Sequence, residues 1–363
     1  MSAITPPTTQ GFTLLPEWHS QAAVLVTWPH QHSDWVEQLN LPSNEIENFY
    51  LELVGTISGH QTCAIICYDQ THKKHIIELL KTHKLKTDNI CFYIIPTNDT
   101  WIRDYGPLST ISSNKCLHLL NFEFNAWGNK YSCDKDNLVN QQLHQQHAFH
   151  LSSYSSLPWV LEGGSIDTDG QGTILTTTNC LLSKSRNPGK NKTDIVQALG
   201  EYLGANKVLW LDHGSLEGDD TDAHVDTLAR FTNPDTICYV SCDQPQDPHY
   251  NSLKNMEKTL KTFRNQNSEP YKLVPLPWPK PKINRHGERL PATYANFLII
   301  NKAVLVPTYN DPADEKALGI FRELFPERQV IGLDCTSLIE QFGSLHCATM
   351  QLPEGIELQR ETR

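Results

Sequence analysis

Short runs of Val, Ile, Leu, Tyr and Thr recur along the chain and alternate with longer amphipathic segments. The runs are short enough for β-strands, and the predicted strands cover residues 63–68, 90–96, 172–178, 208–211, 236–241, 295–306 and 329–333. Apolar residues at helical spacing predict helices over residues 44–58, 136–147, 193–203, 250–265 and 313–324. Two strands and then a helix recur in roughly this order, which favours an α/β fold of ββα-type units.

No long linker or low-complexity tract divides the chain, so we predict a single domain over residues 1–363. The repeat of its units is inferred from element order alone, because the units share no visible sequence identity. The best candidate for a long surface loop is the proline-rich, charged stretch 276–291. Its composition also makes it a candidate lid over a binding site.

The composition is that of an ordinary globular enzyme, with 39% apolar and 20% charged residues. The formal net charge of −11 argues against nucleic acid or an anionic membrane as the main partner and suits a cationic small molecule. No secretion signal and no apolar run of membrane-spanning length is visible, so we expect a cytoplasmic protein. The ten cysteines lack CxxC spacing, so we expect thiols and neither a metal nor another cofactor.

Four segments rich in Asp, Glu, His and Gly lie where strand-like runs end. They are residues 98–107 (NDTWIRDYGP), 161–165 (LEGGS), 222–226 (DAHVD) and 343–347 (GSLHC). Functional residues of α/β folds collect at such strand ends. These segments are therefore the candidates for a catalytic site.

The residue types in these segments suit attack on a guanidinium carbon. Carboxylates hold a guanidinium best, through paired charge-assisted hydrogen bonds. A thiolate is a good nucleophile near neutral pH, and a histidine can first protonate departing ammonia and then activate water. The chain offers this inventory in Cys347, His224, Asp104, Asp226 and Glu162.

Several motifs together resemble the agmatine deiminase family, a branch of the guanidine-modifying, or pentein, superfamily. They are WIRD (101–104) with GP (106–107), FNAWG (124–128), LEGG (161–164), HVD (224–226), HC (346–347), PATYANF (291–297) and VPTYNDP (306–312). They occur in the family's order and span nearly the whole chain. Bacterial sequences of this type are also called peptidylarginine deiminases.

The resemblance implies a five-bladed α/β propeller with pseudo-fivefold ββαβ repeats and a central site. It also implies that Cys347 attacks the guanidinium carbon to give a covalent thiouronium, with His224 as general acid and then general base. Asp104 and Asp226 would clamp the guanidinium, and Glu162 would orient His224 or bind the same cation. The product from agmatine would be N-carbamoylputrescine, a step towards putrescine.

Two further residues are expected to contact the substrate. Trp101 is expected to stack on the guanidinium or pack on the alkyl chain. Asp220, in the acidic loop 217–222, is the candidate partner of the primary amine of agmatine. The chain departs from the family pattern at Tyr105, Asn129 and Ala223 and over residues 341–345, which leaves substrate choice open.

Other interpretations compete with this one. Several nearby residues are expected to be structural. The nine other cysteines and Trp127 are expected to pack in the core. His346 is expected to point away from the site in a strand, and Arg103 to pair with a neighbouring carboxylate. The thiol, imidazole and carboxylates also fit a deiminase of free or peptidyl arginine, or an amidinotransferase. A metal hydrolase and a non-catalytic binding protein fit less well, because no HExxH spacing occurs and every chemical group is present. Homo-oligomer formation stays open.

Overall fold

The computed structural model describes residues 11–37, 43–150 and 152–358, and its fold is mixed α/β. Its strands are β1 (Phe12–Leu14), β2 (Gln21–Thr27), β3 (Thr62–Cys67), β4 (Ile90–Ile94), β5 (Leu108–Ser112), β6 (Leu117–Glu123), β7 (Ser153–Val160), β8 (Ile166–Thr168), β9 (Thr173–Thr177), β10 (Lys207–Leu211), β11 (Ala229–Asn233), β12 (Thr236–Val240), β13 (Lys272–Leu276), β14 (Lys282–Ile283), β15 (Arg289–Leu290), β16 (Leu298–Ile300), β17 (Ala303–Thr308), β18 (Gln329–Asp334) and β19 (Thr349–Pro353).

Its α-helices lie between these strands. They are α1 (Asp34–Glu37), α2 (Ser43–Ser58), α3 (Gln70–Thr82), α4 (Ile102–Tyr105), α5 (Ala126–Asn129), α6 (Val139–Gln145), α7 (Thr178–Leu181), α8 (Lys192–Leu203), α9 (Tyr250–Thr262) and α10 (Asp314–Leu324). Within the part of the chain that the structure describes, no helix has the length and apolar character needed to cross a lipid bilayer.

Five sheets of three or four strands share one connection pattern within the described residues. Their strand orders are β1-β5-β6-β7, β10-β9-β8, β11-β12-β13, β16-β17-β18 and β19-β2-β3-β4. Each contains an antiparallel pair and then a parallel strand, which the chain reaches through a helical crossover. Parallel pairing requires such a crossover, so the repeated order of strands and helices dictates the repeated sheet. The remaining pair, β14-β15, is a short hairpin.

The sequence of each element explains its place. Strand β2 is QAAVLVT and is buried almost throughout, as expected for a strand covered on both faces. Helix α8 begins at a capping box in which Asn191 and Asp194 satisfy each other's backbone N–H groups. It ends at Gly204, which has φ +69° and whose missing Cβ would lie 2.1 Å from the carbonyl oxygen of Phe12.

The last strand, β19, and the second strand, β2, pair in one sheet. Strand β19 pairs antiparallel with β2, with Thr349 opposite Val26 and Leu352 opposite Ala23. Cys347 stands two residues before β19 begins. The pairing of β19 with β2 therefore fixes where the candidate nucleophile enters the molecule.

Most elements predicted from periodicity are confirmed, and three predictions need correction. Residues 295–306 form no single strand, because a turn with Lys302 at φ 63° divides them into β16 and β17. The stretch 276–291 contains the β14-β15 hairpin and is not structureless, although its Ile283 is 53% exposed. Among the nine other cysteines, Cys116 is exposed and Cys133 is half-buried, so neither is core.

The close packing of β2 generates a stability prediction. Leu25 is completely buried, so Leu25→Ala removes apolar contacts and leaves a cavity. We expect the free energy of unfolding in urea to fall by about 2–5 kcal/mol. The control is Val196→Ala on the exposed face of α8, where Val196 is 40% exposed and we expect a change within about 0.5 kcal/mol. Equal effects of the two substitutions would contradict the assignment of β2 to the core.

Candidate active site

The five candidate catalytic residues come from four short turns and helices, each next to a strand. Asp104 lies in α4, and Glu162 precedes a 3-10 turn at Gly163–Ser165. His224 precedes a 3-10 turn at Val225–Thr227 that contains Asp226, and Cys347 lies in the turn before β19. Tight turns and the short helix α4 therefore place Asp104, His224 and Asp226.

Three of these side chains converge on a residue without a side chain. A Cβ atom added to Gly164 would lie 2.7 Å from Nδ1 of His224, 2.8 Å from Oδ1 of Asp104 and 3.0 Å from Oδ2 of Asp226. The backbone N–H of Gly164 also donates to Oδ1 of Asp104 at 2.9 Å. Gly164 of the LEGG motif therefore leaves room for these groups to meet.

The Cys347 thiol lies among polar partners and is 5% exposed. Its Sγ is 3.8 Å from Oδ2 of Asp226 and 3.4 Å from Nδ2 of Asn296. Burial, with the nearby charges of Asp226 and Asp104, raises the pKa of this thiol well above its ordinary value. Cys347 is therefore a neutral thiol in the empty site at neutral pH. Sequence reasoning did not identify Asn296, which lies in the PATYANF motif.

Asp104 is held by neutral hydrogen-bond donors. The indole N–H of Trp127 donates to its Oδ2 at 2.9 Å, and Gly164 donates to its Oδ1. Burial, with Asp226 and Glu162 nearby, raises the pKa of Asp104 well above its ordinary value. The expectation that Trp127 only packs is wrong, because its indole N–H donates to the carboxyl group of Asp104.

Glu162 is paired with a cation that sequence reasoning missed. Nε of Arg186 lies 2.8 Å and 2.9 Å from the two carboxylate oxygens of Glu162, and one Nη atom of Arg186 lies 2.6 Å from Asp222. Burial outweighs this ion pair and raises the pKa of Glu162. Its Oε2 is 4.0 Å from Nε2 of His224. Asp222 belongs to the acidic loop, so that loop is part of the scaffold of the site and not only a solvated surface.

The His224 imidazole is completely buried, and neither of its ring nitrogens has a hydrogen-bond partner among the described residues. Its Nδ1 is 3.5 Å from Oδ1 of Asp104. Burial lowers its pKa to about 3, although Asp226 acts in the opposite direction. The imidazole is therefore neutral at neutral pH and has a free nitrogen that can accept a proton.

The two oxygens of Asp226 have different surroundings. Oδ2 lies 2.7 Å from Nδ1 of His346, whereas Oδ1 is buried without a hydrogen-bond partner. Burial alone would raise the pKa of this carboxyl group, but the contact with His346 outweighs burial and lowers it. Asp226 is therefore an anion with one oxygen free.

Two neighbours of the site differ from expectation. His346 lies in a turn and not in a strand, and its ring bridges Asp226 and Glu17. Arg103 has no carboxylate partner among the described residues. Its guanidinium instead donates to the side-chain oxygen of Gln351 at 2.6 Å and to the backbone carbonyl of His346 at 3.3 Å.

A cavity of about 340 Å³ reaches Cys347 and Asp104. Its lining also includes both predicted substrate-contacting residues, Trp101 and Asp220. The Trp101 ring lies so close to Gly343 that a Cβ there would be 2.2 Å from it. His224, Asp226 and Glu162 lie behind this lining.

Asp220 has two partners on the chain. Its Oδ1 is 3.2 Å from Nζ of Lys130, and its Oδ2 accepts from the hydroxyl of Tyr131 at 2.5 Å. Both its carboxylate oxygens are therefore occupied in this structure.

The chemistry of the donors does not favour a metal at this site. Among the described residues, Glu162, Cys180 and His224 have donor atoms within 4.8 Å of one another. Glu162 is already bound on both oxygens by Arg186, and burial raises the pKa of the Cys180 thiol well above its ordinary value. A metal ion would have to displace the guanidinium and deprotonate the thiol.

Residues 13–353 match the Porphyromonas-type peptidyl-arginine deiminase family. The chain belongs to this family. The resemblance inferred from the motifs is thereby confirmed.

Three relatives place the chain within the family. A cysteine-to-serine variant of agmatine deiminase from C. jejuni, solved with substrate bound, is 37% identical, with a TM-score of 0.86 over 95% of this chain and 97% of that chain. A structure from Porphyromonas gingivalis, provisionally named arginine deiminase, is 42% identical, with a TM-score of 0.87 over 96% and 100% of the two chains. A Vibrio parahaemolyticus protein, provisionally named agmatine deiminase, is 31% identical over 97% of this chain and all of its own length.

The electrostatics of Cys347 generate a prediction for thiol alkylation. Asp226→Asn removes an anion 3.8 Å from Sγ, so the pKa of the thiol falls and more thiolate exists at any pH below that pKa. We expect iodoacetamide to alkylate Cys347 about tenfold faster at pH 8 in this variant than in the wild type. The exposed thiol of Cys116 is the internal reference when the labelled peptides are quantified by mass spectrometry.

The matched control is Asp220→Asn, which removes a carboxylate of the same cavity that Lys130 already neutralises. We expect little change in the rate at Cys347. An unchanged or slower rate in Asp226→Asn would show that Asp226 does not control the thiol.

Proposed function

We propose that this protein is an agmatine deiminase that hydrolyses agmatine to N-carbamoylputrescine and ammonia. The observation that carries the proposal is the convergence of His224, Asp104 and Asp226 around Gly164, with the Cys347 thiol beside Asp226. Free hydrogen-bonding atoms remain on His224 and Asp226, as a site awaiting a cationic ligand requires. The agmatine deiminase of C. jejuni, with substrate bound, supports the choice of substrate.

Binding of the guanidinium prepares the site for reaction. A guanidinium between Asp104 and Asp226 supplies the cation that Asp104 lacks, so Asp104 ionises as the ligand enters. The same positive charge offsets the anions that raise the pKa of Cys347. The thiol then loses its proton to the neutral imidazole of His224, and the thiolate forms a bond to the guanidinium carbon.

The breakdown of this adduct uses the same imidazole twice. His224 returns its proton to one nitrogen, the carbon–nitrogen bond breaks, and ammonia leaves a thiouronium on Cys347. A water molecule then attacks the same carbon while His224 accepts its proton. The carbon–sulfur bond breaks, which releases the ureido product and regenerates the thiol. Glu162, paired with Arg186, lies 4.0 Å from Nε2 of His224, and we expect its charge to stabilise the imidazolium.

The charge of the cavity favours agmatine over free arginine. The described lining includes five aspartates and a single lysine or arginine side chain: Asp34, Asp99, Asp104, Asp136, Asp220 and Lys135. Lys135 itself contacts the ring and hydroxyl of Tyr68. An α-carboxylate would find no arginine to pair with in the described lining, whereas the ammonium of agmatine can pair with a carboxyl group that ionises as the cation approaches. The second candidate is deimination of free arginine, as the name of the Porphyromonas gingivalis structure suggests.

We also infer the finer architecture. Five sheets with one connection pattern support a five-bladed propeller with pseudo-fivefold symmetry and a single catalytic domain over residues 1–363. The four turns and helices that carry the candidate residues each adjoin a strand, which supports a site at the centre of the five blades. Reaction at such a centre requires no cofactor, and a cytoplasmic location suits a step towards putrescine.

The proposal is tested by assaying ammonia and ureido product with agmatine, arginine and an arginine peptide. We expect turnover of agmatine, resistance to a chelator, and loss of activity in Cys347→Ala. Preference for arginine or the peptide would overturn the choice of agmatine as substrate and leave the thiol mechanism standing. Activity in Cys347→Ala, or loss of wild-type activity with the chelator, would overturn the thiol mechanism.

A further prediction concerns the carboxylate that binds the ammonium of agmatine. Asp99 lines the cavity, and among the described residues its carboxyl group accepts hydrogen bonds from the neutral groups of Thr100 and Gln341. Burial, with the nearby charge of Asp34, raises its pKa to about 7. We expect Asp99→Asn to raise KM for agmatine by about 10- to 100-fold, because a hydrogen-bonded ion pair is lost.

The sign of the pH dependence follows from the raised pKa of Asp99. Below about pH 7 the carboxyl group is protonated and the ion pair with the ammonium is weak, so KM should fall as pH rises through 7. Asp99→Asn should remove this dependence. Asp220→Asn is the comparison, because Lys130 and Tyr131 already occupy Asp220. A larger effect at Asp220 would make it the ammonium partner.

A further inference from the structure

A buried chain of charged groups lies behind Asp226 and continues away from the cavity. Nδ1 of His346 is 2.7 Å from Oδ2 of Asp226, and Nε2 of the same ring is 2.7 Å from Oε2 of Glu17. Glu17 in turn accepts a hydrogen bond from the guanidinium of Arg230. All four side chains are at most 8% exposed.

The outer end of this chain is anchored to the backbone. Oε1 of Glu17 accepts from the N–H of Ile299 at 2.6 Å. The guanidinium of Arg230 donates to the carbonyl of Phe297 and stacks over its ring, with Cζ 4.3 Å from the centroid. Residues 297–299 lead into β16, so the position of Glu17 is set by a strand and not by a mobile loop.

As hydrogen bonds, the two contacts of His346 fix the number of protons that the three side chains hold. An ionised carboxylate has no hydrogen to donate, so each 2.7 Å contact requires one proton. Glu17, His346 and Asp226 therefore share two protons and carry a net charge of −1, which Arg230 balances. Burial and the guanidinium groups of Arg103 and Arg230 lower the pKa of His346, and Glu17 and Asp226 oppose this shift.

This arrangement divides the work of Asp226 between its two oxygens. Oδ2 is held by His346 and also lies 3.8 Å from Sγ of Cys347, whereas Oδ1 is buried without a hydrogen-bond partner among the described residues. Without the bond to His346, the carboxylate could rotate about its χ2 angle, which is a soft torsion. A guanidinium requires its partner oxygens in a fixed plane and direction.

We propose that His346 and Glu17 are positioning residues, which hold the Asp226 carboxylate in a fixed orientation beside Gly164 and Cys347, where the substrate guanidinium binds. The inference rests on the proposed function and adds to it two residues that do not contact substrate. Loss of the bond between His346 and Asp226 should cost about 10- to 100-fold in kcat/KM, as expected when a binding group is misplaced by a fraction of an ångström.

Two substitutions of His346 separate positioning from packing. In His346→Asn the amide nitrogen can occupy the place of Nδ1 and still donate to Asp226, while the contact with Glu17 is lost. In His346→Gln the amide nitrogen reaches the place of Nε2 and still donates to Glu17, while the bond to Asp226 is lost. We expect kcat/KM for agmatine to fall by about 100-fold in His346→Gln and by about 10-fold in His346→Asn.

A purely structural role predicts the opposite order. Asparagine is the smaller residue and leaves the larger cavity, so His346→Asn should have the lower thermal unfolding midpoint. If activity followed the unfolding midpoint, or if His346→Gln kept wild-type kcat/KM, the positioning role would be wrong. The control is His118→Gln, because in the described part of the chain the His118 ring bonds to the hydroxyl groups of Ser153 and Ser155, on a strand that carries none of the candidate residues, and the variant should keep wild-type activity.

Glu17 offers a rescue experiment. Glu17→Ala removes the acceptor for His346, whereas Glu17→Gln keeps a side chain of the same shape that can still bond to the ring. We expect Glu17→Gln to retain at least about tenfold more kcat/KM than Glu17→Ala. Equal losses in the two variants would overturn the role of Glu17.

A spectroscopic measurement and a binding measurement keep this test separate from the proposed function. In protein labelled with ¹⁵N-histidine, the ring N–H signals of His346 should report two short hydrogen bonds, with the Nε2 signal altered in Glu17→Ala. Their absence would overturn the bridge whatever the enzyme's activity. Calorimetric binding of agmatine to the wild type tests the choice of substrate. No binding and no turnover would overturn the proposed function. If the wild type binds agmatine and His346→Gln binds it with the same affinity, the positioning role alone would be overturned.

Discussion

The burial of three carboxyl groups around one small space is the constraint on which this site depends. A buried carboxylate is costly unless a cation or several hydrogen-bond donors compensate it. Glu162 has Arg186 and Asp226 has His346, but Asp104 is held only by the neutral donors of Trp127 and Gly164. The site is therefore short of one positive charge, and a guanidinium supplies it.

The lack of a cation beside these carboxyl groups also bears on the protonation states of Cys347 and His224. The anions and the burial that raise the pKa of Cys347 keep it as a thiol, and burial keeps His224 neutral. A reactive thiolate therefore forms only when a cation is present. We expect this arrangement to protect Cys347 from oxidation and alkylation when no cationic ligand is bound, because the thiolate is the reactive form.

Much of the fold and the central chemistry could be predicted from the sequence. Helical and strand periodicity identified segments such as α8 and β12, because each pattern matches the local geometry of one element. The motif residues Cys347 and His224 were identified because thiol and imidazole suit the reaction. Local propensity was insufficient at residues 295–306, where one turn at Lys302 divides an apolar run that looks continuous.

The partners of the catalytic groups could not be predicted, because they come from distant parts of the chain. Glu17 reaches His346 across 329 positions of the sequence, and no periodicity links two such residues. Arg186 and Trp127 likewise resemble ordinary surface and core residues until the fold brings them to Glu162 and Asp104. The spacing of apolar residues shows which face of a helix or strand is buried. The partners of the catalytic groups depend instead on which helices and strands become neighbours in the fold.

The pairing of β19 with β2 has a consequence for the synthesis of the protein. On the ribosome, Glu17 is made 329 residues before His346, and Cys347 and the strand β19 follow His346. A nascent chain can therefore contain Asp104, Glu162 and Asp226 and still lack Cys347. Closure of the sheet between β2 and β19 is thus the step that brings Cys347 to these carboxyl groups.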